Sequence, residues 1–355
     1  MSLDAFIKEA LRKKMCTAVA AVILRGGEIL YERYSGNLWH NGPRLEQHHF
    51  FDLASLTKPV ATSSLFMYAY EKGIISLNEK LSAFFPRNWL RRGHRDISIE
   101  DLLRHRSGLP AYRAYYEKFE NIRWKRRREK LVREILDTPI SPEKNEVYSD
   151  LGFILLGFIA ECIYGKPLDV AFAEVCKEWD VLNGLHFVSL RDGRNTFPKG
   201  NYVATSFCSW RGRRLIGEVD DANCFSLGGV AGHAGLFGTA RSIQKWLADL
   251  WRIFNGETRS WCSKRTLDRF WYQEKKGSWL CGFDTPSVGT SLIIPYFSRR
   301  SVGHYGFTGT SFWMDLTDGF AVVLLTNRVY YFGTGDVIRE FRKEFHKRAR
   351  ESYGK

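Results

Sequence analysis

A chain of 355 residues with 44% hydrophobic and 26% charged residues holds enough apolar material for one large core or two closely packed ones. No run of about 18 apolar residues occurs, which excludes a membrane-spanning helix. The seven cysteines are scattered, odd in number and without a Cys-x-x-Cys pair, so reduced thiols are expected rather than a disulfide framework or a metal site. The 53 basic against 39 acidic side chains, net +14, suit a nucleic acid, a membrane surface or an anionic small substrate.

Residues 1–14 spread their charges along an amphipathic helix instead of forming a basic tip and an apolar core. That is not a secretory signal, and a chain starting there is expected in the cytoplasm. Thr17–Leu24 then reads as a buried strand, and Arg25-Gly26-Gly27-Glu28 turns it back into Ile29–Tyr34, a β-hairpin. From Ser55 to about Ala173 the pattern is mostly helical. It holds a buried helix opening at Ser55, a short helix at Ser98–His105 with a capping arrangement of Ser98 and Asp101, a basic helix, and an apolar helix from Asp150 to Ala160. Strand character returns at Val302–Phe307, Ser311–Leu316 and Phe320–Asn327, with Asp318-Gly319 as a hairpin signal, before a final amphipathic helix at Val337–Arg350. Strands at both ends with helices between them predict an α+β fold: one antiparallel sheet formed from the N- and C-terminal segments (1–50 and 230–355), flanked by terminal helices, with a mainly helical region (51–229) inserted and the site in the cleft between them.

The densest basic run is Arg123-Trp124-Lys125-Arg126-Arg127-Arg128-Glu129-Lys130. It continues into the amphipathic Leu131–Leu136 and reads as the wet face of a helix. Neither a nucleic-acid motif nor an aromatic platform accompanies it, so nucleic acid is not an expected partner.

Ser55-Leu56-Thr57-Lys58 is the stretch that carries chemistry. Residues at i and i+3 share a helix face, so Lys58 reaches the Ser55 hydroxyl, while burial disfavours the charged amine and the helix start offers N–H groups to negative charge. Ser141-x-x-Lys144 and Ser242-x-x-Lys245 match the same pattern. The first of these stands beside prolines in a loop, and the second opens an amphipathic helix that reads as a surface one. Only Ser55 opens an apolar helix behind the apolar approach Phe50–Ala54.

An amine-activated serine also needs a proton shuttle and donors for an oxyanion. Tyr148-Ser149-Asp150 is the one Tyr-x-Asp tripeptide, and it stands just before an apolar helix. His304-Tyr305-Gly306 lies on a late strand, where its glycines admit a ligand to the sheet edge. His40-Asn41-Gly42, His233-Ala234-Gly235 and Lys275-Lys276-Gly277 share that pattern without such a position. His233, Trp210 and Tyr112 are further candidates for the cleft wall, with packing or capping as the alternative.

In this order, Ser55-x-x-Lys58, Tyr148-x-Asp150 and His304-x-Gly306 resemble the serine β-lactamase and penicillin-binding protein superfamily on its class C branch. The blocks Ile99–Pro110, Gly229–Ala240 and Gly303–Gly309 are similar as well, and the likeness runs from about Thr17 to about Phe345. The resemblance implies Ser55 as the acylated nucleophile, Lys58 as proton acceptor or electrostatic support, and Tyr148 as the shuttle. It implies an oxyanion hole of the Ser55 and Phe307 amides, with His304 facing a substrate carboxylate or assisting proton transfer. In two places the chain departs from that pattern: histidine replaces the lysine many relatives carry at 304, and Asp150 replaces the usual asparagine. An ionised Asp150 pairs with Lys58 and keeps it charged, which favours Tyr148 as the base; the pattern leaves both assignments open.

The implied activity is serine-dependent acyl transfer without a cofactor or metal. Gly217–His233 is similar to a branch that cleaves muropeptide amides, and a basic surface suits anionic muropeptides. The expected partner is therefore a small-molecule or peptide substrate, with an esterase or weak β-lactamase as the competing reading and a non-catalytic peptidoglycan-fragment receptor as the reading from another class. The pattern specifies no oligomeric state.

Overall fold

The computed structural model describes residues 2–119, 122, 124–143, 145–177, 184–191, 197–258, 260–272, 277–287, 293, 295–331 and 335–354. Arg123 of the basic run, Lys144 of the second Ser-x-x-Lys match, and Lys275 and Lys276 of the glycine tripeptide lie outside the described residues.

In chain order the strands are β1 (Ala18–Arg25), β2 (Glu28–Gly36), β3 (Phe51–Asp52), β4 (Leu185–Phe187) and β5 (Phe207–Cys208), then β6 (Arg213–Arg214), β7 (Leu236–Gly238), β8 (Ser301–Tyr305), β9 (Ser311–Asp315) and β10 (Phe320–Thr326). The main sheet is antiparallel in the order β2-β1-β10-β9-β8, so both ends of the chain build it, as expected. Val22 faces Val323, Val322 faces Trp313 and Gly303 also faces Trp313, which fixes the register across the middle of the sheet. β1 shows no hydrophobic alternation in its sequence because both its faces are covered. Ala18, Ala20, Val22 and Leu24 enter the core shared with the helical region, while Val19, Ala21 and Ile23 enter a second core.

That second core lies under α1 (Leu3–Arg12) and the C-terminal helix α10 (Gly335–Tyr353), whose Phe6 and Phe341 rings stack at 5.2 Å. Between them in sequence run α2 (Ser64–Glu71), α3 (Ile99–Leu103), α4 (Trp124–Asp137), α5 (Asp150–Tyr164), α6 (Leu168–Cys176), α7 (Ala222–Ser226), α8 (Ala240–Phe254) and α9 (Lys264–Phe270). α3 starts at the expected capping box, with Ser98 Oγ accepting from the Asp101 N–H at 3.0 Å and the Asp101 carboxylate accepting from the Ser98 N–H at 2.9 Å. No single described helix is long and apolar enough to cross a membrane. The α5–α6 pair would pass by length and composition, but it is bent by 70° and its apolar faces lie in the core.

One expectation is corrected. Ser242 does not begin a surface helix: α8 packs against β1 and β10 with Ile243, Trp246, Leu247 and Leu250 buried. Ser242 itself is the buried capping partner of Thr239, and its hydroxyl is spent on that helix end. A small sheet in the order β3-β7-β4 is a further element, and it carries the chain into the nucleophile turn.

Candidate active site

The approach to Ser55 is set by Asp52. Its buried carboxylate accepts from the Ala54 N–H at 2.8 Å and from the Asp220 N–H at 2.7 Å, while its carbonyl accepts from the Thr308 hydroxyl at 2.7 Å. Ala54 is held at φ 49°, a left-handed conformation uncommon for a residue with a Cβ, and opens a single 3₁₀ turn, Ala54–Leu56. The chain then widens into a π-helical segment, Lys58–Ser63, before α2 continues as an α-helix. Pro59 fits that first turn because its missing N–H would have no partner there. The sequence foresaw the helix and not its 3₁₀ and π start.

Lys58 is fully buried, and its ammonium is the hub of the site. It donates to Ser55 Oγ at 2.9 Å and to the His233 carbonyl at 3.3 Å, and lies 2.7 Å from Asp150 Oδ1 in an ionic contact outside hydrogen-bond direction. It also stands 4.7 Å over the Tyr148 ring. The Tyr148 hydroxyl is in hydrogen-bond contact with both Lys58 and Ser55. The Ser55–Lys58 turn and the Tyr148–Asp150 segment, about ninety positions apart, are thus brought together.

Burial pulls the Lys58 pKa down, but the Asp150 carboxylate and Tyr148 outweigh it and hold the amine above the ordinary lysine value. Burial raises the Tyr148 phenol, and the opposing pull of Lys58 does not cancel it. The resting site therefore holds Lys58 as an ammonium beside Tyr148 as a neutral phenol.

Asp150 and Tyr148 are aimed by Ser149, the N-cap of α5. Its N–H donates to His105 Nδ1 at 3.0 Å, and its hydroxyl donates to the Pro110 carbonyl at 2.7 Å. His105, Tyr148, Trp279 and His304 form an aromatic wall, with Tyr148 centroids 4.7, 5.1 and 5.8 Å from the other three. Burial first, then Lys58 and His304, hold His105 well below the usual histidine range.

His304 lies on β8 in this wall, nearly inaccessible. Burial and the Lys58 charge push its pKa down to about 3, so the ring is neutral. Its Nδ1–H donates to the Tyr305 carbonyl at 2.8 Å, and Nε2 is buried without a partner, an acceptor. A neutral acceptor suits a substrate donor or proton transfer; it does not suit the carboxylate that a lysine there would face. The sheet edge is also less open than the glycines suggest. Asp284 pairs with Gly303, N–H to O at 2.8 Å and O from N–H at 3.0 Å, so a ligand meets free backbone only from Tyr305 onward.

Gly306 and Phe307 follow β8 and press on the nucleophile turn. A Cβ on Gly306 would stand 2.7 Å from the Leu53 carbonyl and 2.1 Å from Thr310 Oγ1, so only glycine fits. Thr310 Oγ1 donates to the Leu53 carbonyl at 3.0 Å, and the buried Arg342 of α10 donates to the carbonyls of Gly306 at 2.7 Å and Thr310 at 2.6 Å. Phe307 is 64% exposed, its ring covered on one side by Arg328 at 4.6 Å.

Ser55, Tyr148, Asp150, His304, Gly306 and Phe307 all line one cavity of about 810 Å³ between the sheet and the helical region. Tyr112 and His233 line it too, whereas Trp210 is not in its wall and packs on Tyr116 and Phe225 with centroids at 5.1 and 5.7 Å. His233 Nε2 meets Asp221 Oδ1 at 2.9 Å, and Asp221 caps α7 through the Cys224 N–H. Burial would raise the Asp221 carboxyl, and His233 overrides it, holding it below its ordinary value. Asp221, with Asp52, Trp279 and Asp284, escaped the sequence reading because no motif marks them, and Asp52 and Trp279 meet their partners Asp220, His105 and Tyr148 only across long stretches of chain. Among the described residues no cluster of His, Cys, Asp and Glu is built to hold a metal.

The chain is 28% identical over 351 residues to an N-acetylmuramyl-L-alanine amidase of Bacillus subtilis (strain 168), covering 86% of this chain and 76% of the relative. It is 26% identical over 351 residues to a putative D-alanyl-D-alanine carboxypeptidase of Escherichia coli (strain K12), covering 88% and 78%. Among solved structures it shares the fold of EstCE1, described as a hydrolase with promiscuous acyltransferase activity, at TM-score 0.74, 18% identity and 98% and 97% coverage. A class C beta lactamase superposes at TM-score 0.74 with 15% identity and 99% and 96% coverage. The Beta-lactamase family model matches residues 3–346, so the chain belongs to the Beta-lactamase family, whose members share this α+β architecture.

Proposed function

We propose that the chain is a serine acyl-hydrolase that opens an amide of a peptidoglycan-derived muropeptide. The observation that carries this reading is the convergence of Lys58 and Tyr148 on the Ser55 hydroxyl, with Asp150 set against Lys58, within an open cavity. Ser55 Oγ attacks the carbonyl carbon, and its proton passes to the Tyr148 oxygen while the phenol proton moves to the leaving nitrogen. The C–N bond then breaks and an ester to Ser55 remains. The Lys58 ammonium stabilises the negative charge that builds on both oxygens, and the amides of Ser55 and Phe307 receive the oxyanion. Water repeats the sequence in reverse and releases the acid.

The muropeptide class is supported by the name of the Bacillus subtilis relative and by the net charge of +14. Incubation with muropeptides, D-amino-acid amides, esters and cephalosporins, followed by mass spectrometry of products and of the protein, tests it. Muropeptide turnover with an acyl adduct on Ser55, both lost in Ser55→Ala, is the expected result. Ester cleavage without muropeptide turnover would replace this reading with an esterase.

A further inference from the structure

Two large rings that a globular domain ordinarily covers stand open at the cavity. Tyr112 lines the wall and is 44% exposed, and Trp210, outside the wall, is 43% exposed. Tyr116 joins them. Its ring centroid lies 5.1 Å from that of Trp210, and its phenol interacts electrostatically with Tyr112 and with Asp221. The strip of rings follows α7: Tyr112 stands by Asp221, the Tyr116 N–H donates to Asn223 Oδ1 at 3.1 Å, and Trp210 meets the Phe225 ring edge-on at 5.7 Å.

These rings are exposed on fixed supports. Trp210 sits in the turn between β5 and β6, next to Arg211. The Arg211 guanidinium donates to Glu218 Oε1 at 3.0 Å and to the Val219 and Asp220 carbonyls at 2.7 and 3.2 Å, and it lies 4.0 Å over the Phe225 ring. Buried Asn223 holds the other loop, since its side chain also donates to the Arg113 carbonyl at 2.8 Å. One stretch, residues 218–223, thus fixes both loops. Through Asp221 it also holds His233, whose carbonyl accepts from Lys58. Aromatic faces already held open beside a nucleophile lose little freedom when a ligand covers them.

We propose that Tyr112, Tyr116 and Trp210 form a saccharide subsite, so that the amide opened at Ser55 is the one next to the sugar. The proposal rests on the muropeptide reading and narrows it to muramyl peptides that keep their glycan. A pyranose ring offers a flat C–H face to an aromatic ring and a rim of hydroxyls to phenols and carboxylates. Charge sorts the two halves of such a substrate. The wall cations Arg328, Arg339 and Arg342 come from the C-terminal segment, and among the described wall residues from 51–229 there is no arginine or lysine. The anionic peptide is drawn to the arginines, and the uncharged sugar is left to the aromatic strip. The lactyl carbonyl of the muramyl sugar then becomes the ester on Ser55, its C–N bond to the first amino acid breaks, and the peptide leaves with the proton on its amine.

The test uses the Ser55→Ala protein, so binding is read without turnover. The probes for calorimetric titration are GlcNAc-MurNAc-L-Ala-γ-D-Glu-L-Lys and the same tripeptide carrying a D-lactyl group in place of the disaccharide. The sugar is expected to tighten binding by about tenfold or more, and adding Trp210→Ala is expected to remove most of that gain, while Trp210→Phe keeps a flat ring and most of the gain. Saturation-transfer NMR on the Ser55→Ala protein needs no second variant: irradiating the aromatic protons is expected to mark the sugar C–H protons. Equal affinity for the two probes, a gain undiminished in Trp210→Ala, or transfer to the peptide alone would overturn the proposal and leave the muropeptide reading in place. Absence of binding by either probe would remove both. Fluorophosphonate labelling of Ser55 decides separately whether the protein is a hydrolase.

Discussion

Replacing Asp150 with asparagine restores the residue expected from the class C pattern and removes the charge that keeps Lys58 protonated. At 2.7 Å and an effective dielectric of roughly 20, the attraction between the two groups is about 6 kcal/mol. The Asp150 side chain is 20% exposed, so water screens part of this, and about half remains. In Asp150→Asn the burial of Lys58 then dominates, and its pKa falls from above the ordinary lysine value to below it. If the ammonium supports a Tyr148 relay, the alkaline fall of kcat/KM moves to lower pH in the variant than in the wild type. Steady-state hydrolysis of a chromogenic ester from pH 5 to pH 10 measures both profiles. A variant whose profile is unmoved refutes the electrostatic argument. One whose activity rises through the same range refutes the relay and assigns the base to the neutral amine.

Ser55→Ala is expected to abolish fluorophosphonate labelling while costing only about 1 kcal/mol of stability, since Lys58 keeps Asp150 and the His233 carbonyl; thermal melting checks the second part. Gly306→Ala places a Cβ 2.7 Å from the Leu53 carbonyl, so melting should report a loss of about 1–3 kcal/mol. Its ester hydrolysis should fall by about tenfold or more, because the loop proposed to supply the Phe307 amide to the oxyanion is displaced from Ser55. Burial and the neighbouring Asp220 push the Asp52 carboxyl up to about 7 from an ordinary 3.8. A raised acid contributes stability that is full below about pH 4 and lost as pH rises through about 7, here up to about 4 kcal/mol. The stability advantage of wild type over Asp52→Asn, followed by urea unfolding, should therefore shrink from pH 4 to pH 7; a constant difference would contradict the burial argument.

What was legible in the sequence is what local pattern specifies. The Gly26-Gly27 and Asp318-Gly319 turns named both hairpins, and the observed strands end within a few residues of the runs read from them. Ser98 and Asp101 named a helix start. β3, β4 and β7 are two or three residues long, too short for a period, and they pair at long range, β7 reaching back about 50 positions to β4 and more than 180 to β3. Ser242 misled because a capping residue and a surface serine look alike in sequence; only packing against β1 distinguishes them. Ser55, Lys58 and Tyr148 were readable as residue types in order, yet the charge state of the trio depends on a distance of 2.7 Å to Asp150 that no spacing encodes.

The main sheet seats β1 between β2 and β10, and Arg342 near the far end of the chain braces the loop that faces Ser55. A nascent polypeptide that has displayed its serine, lysine and tyrosine still lacks this brace while α10 remains in the ribosomal tunnel. The site is therefore assembled only after α10 has been made, and a message cut short upstream of α10 yields protein with Ser55, Lys58 and Tyr148 but an unbraced loop opposite them.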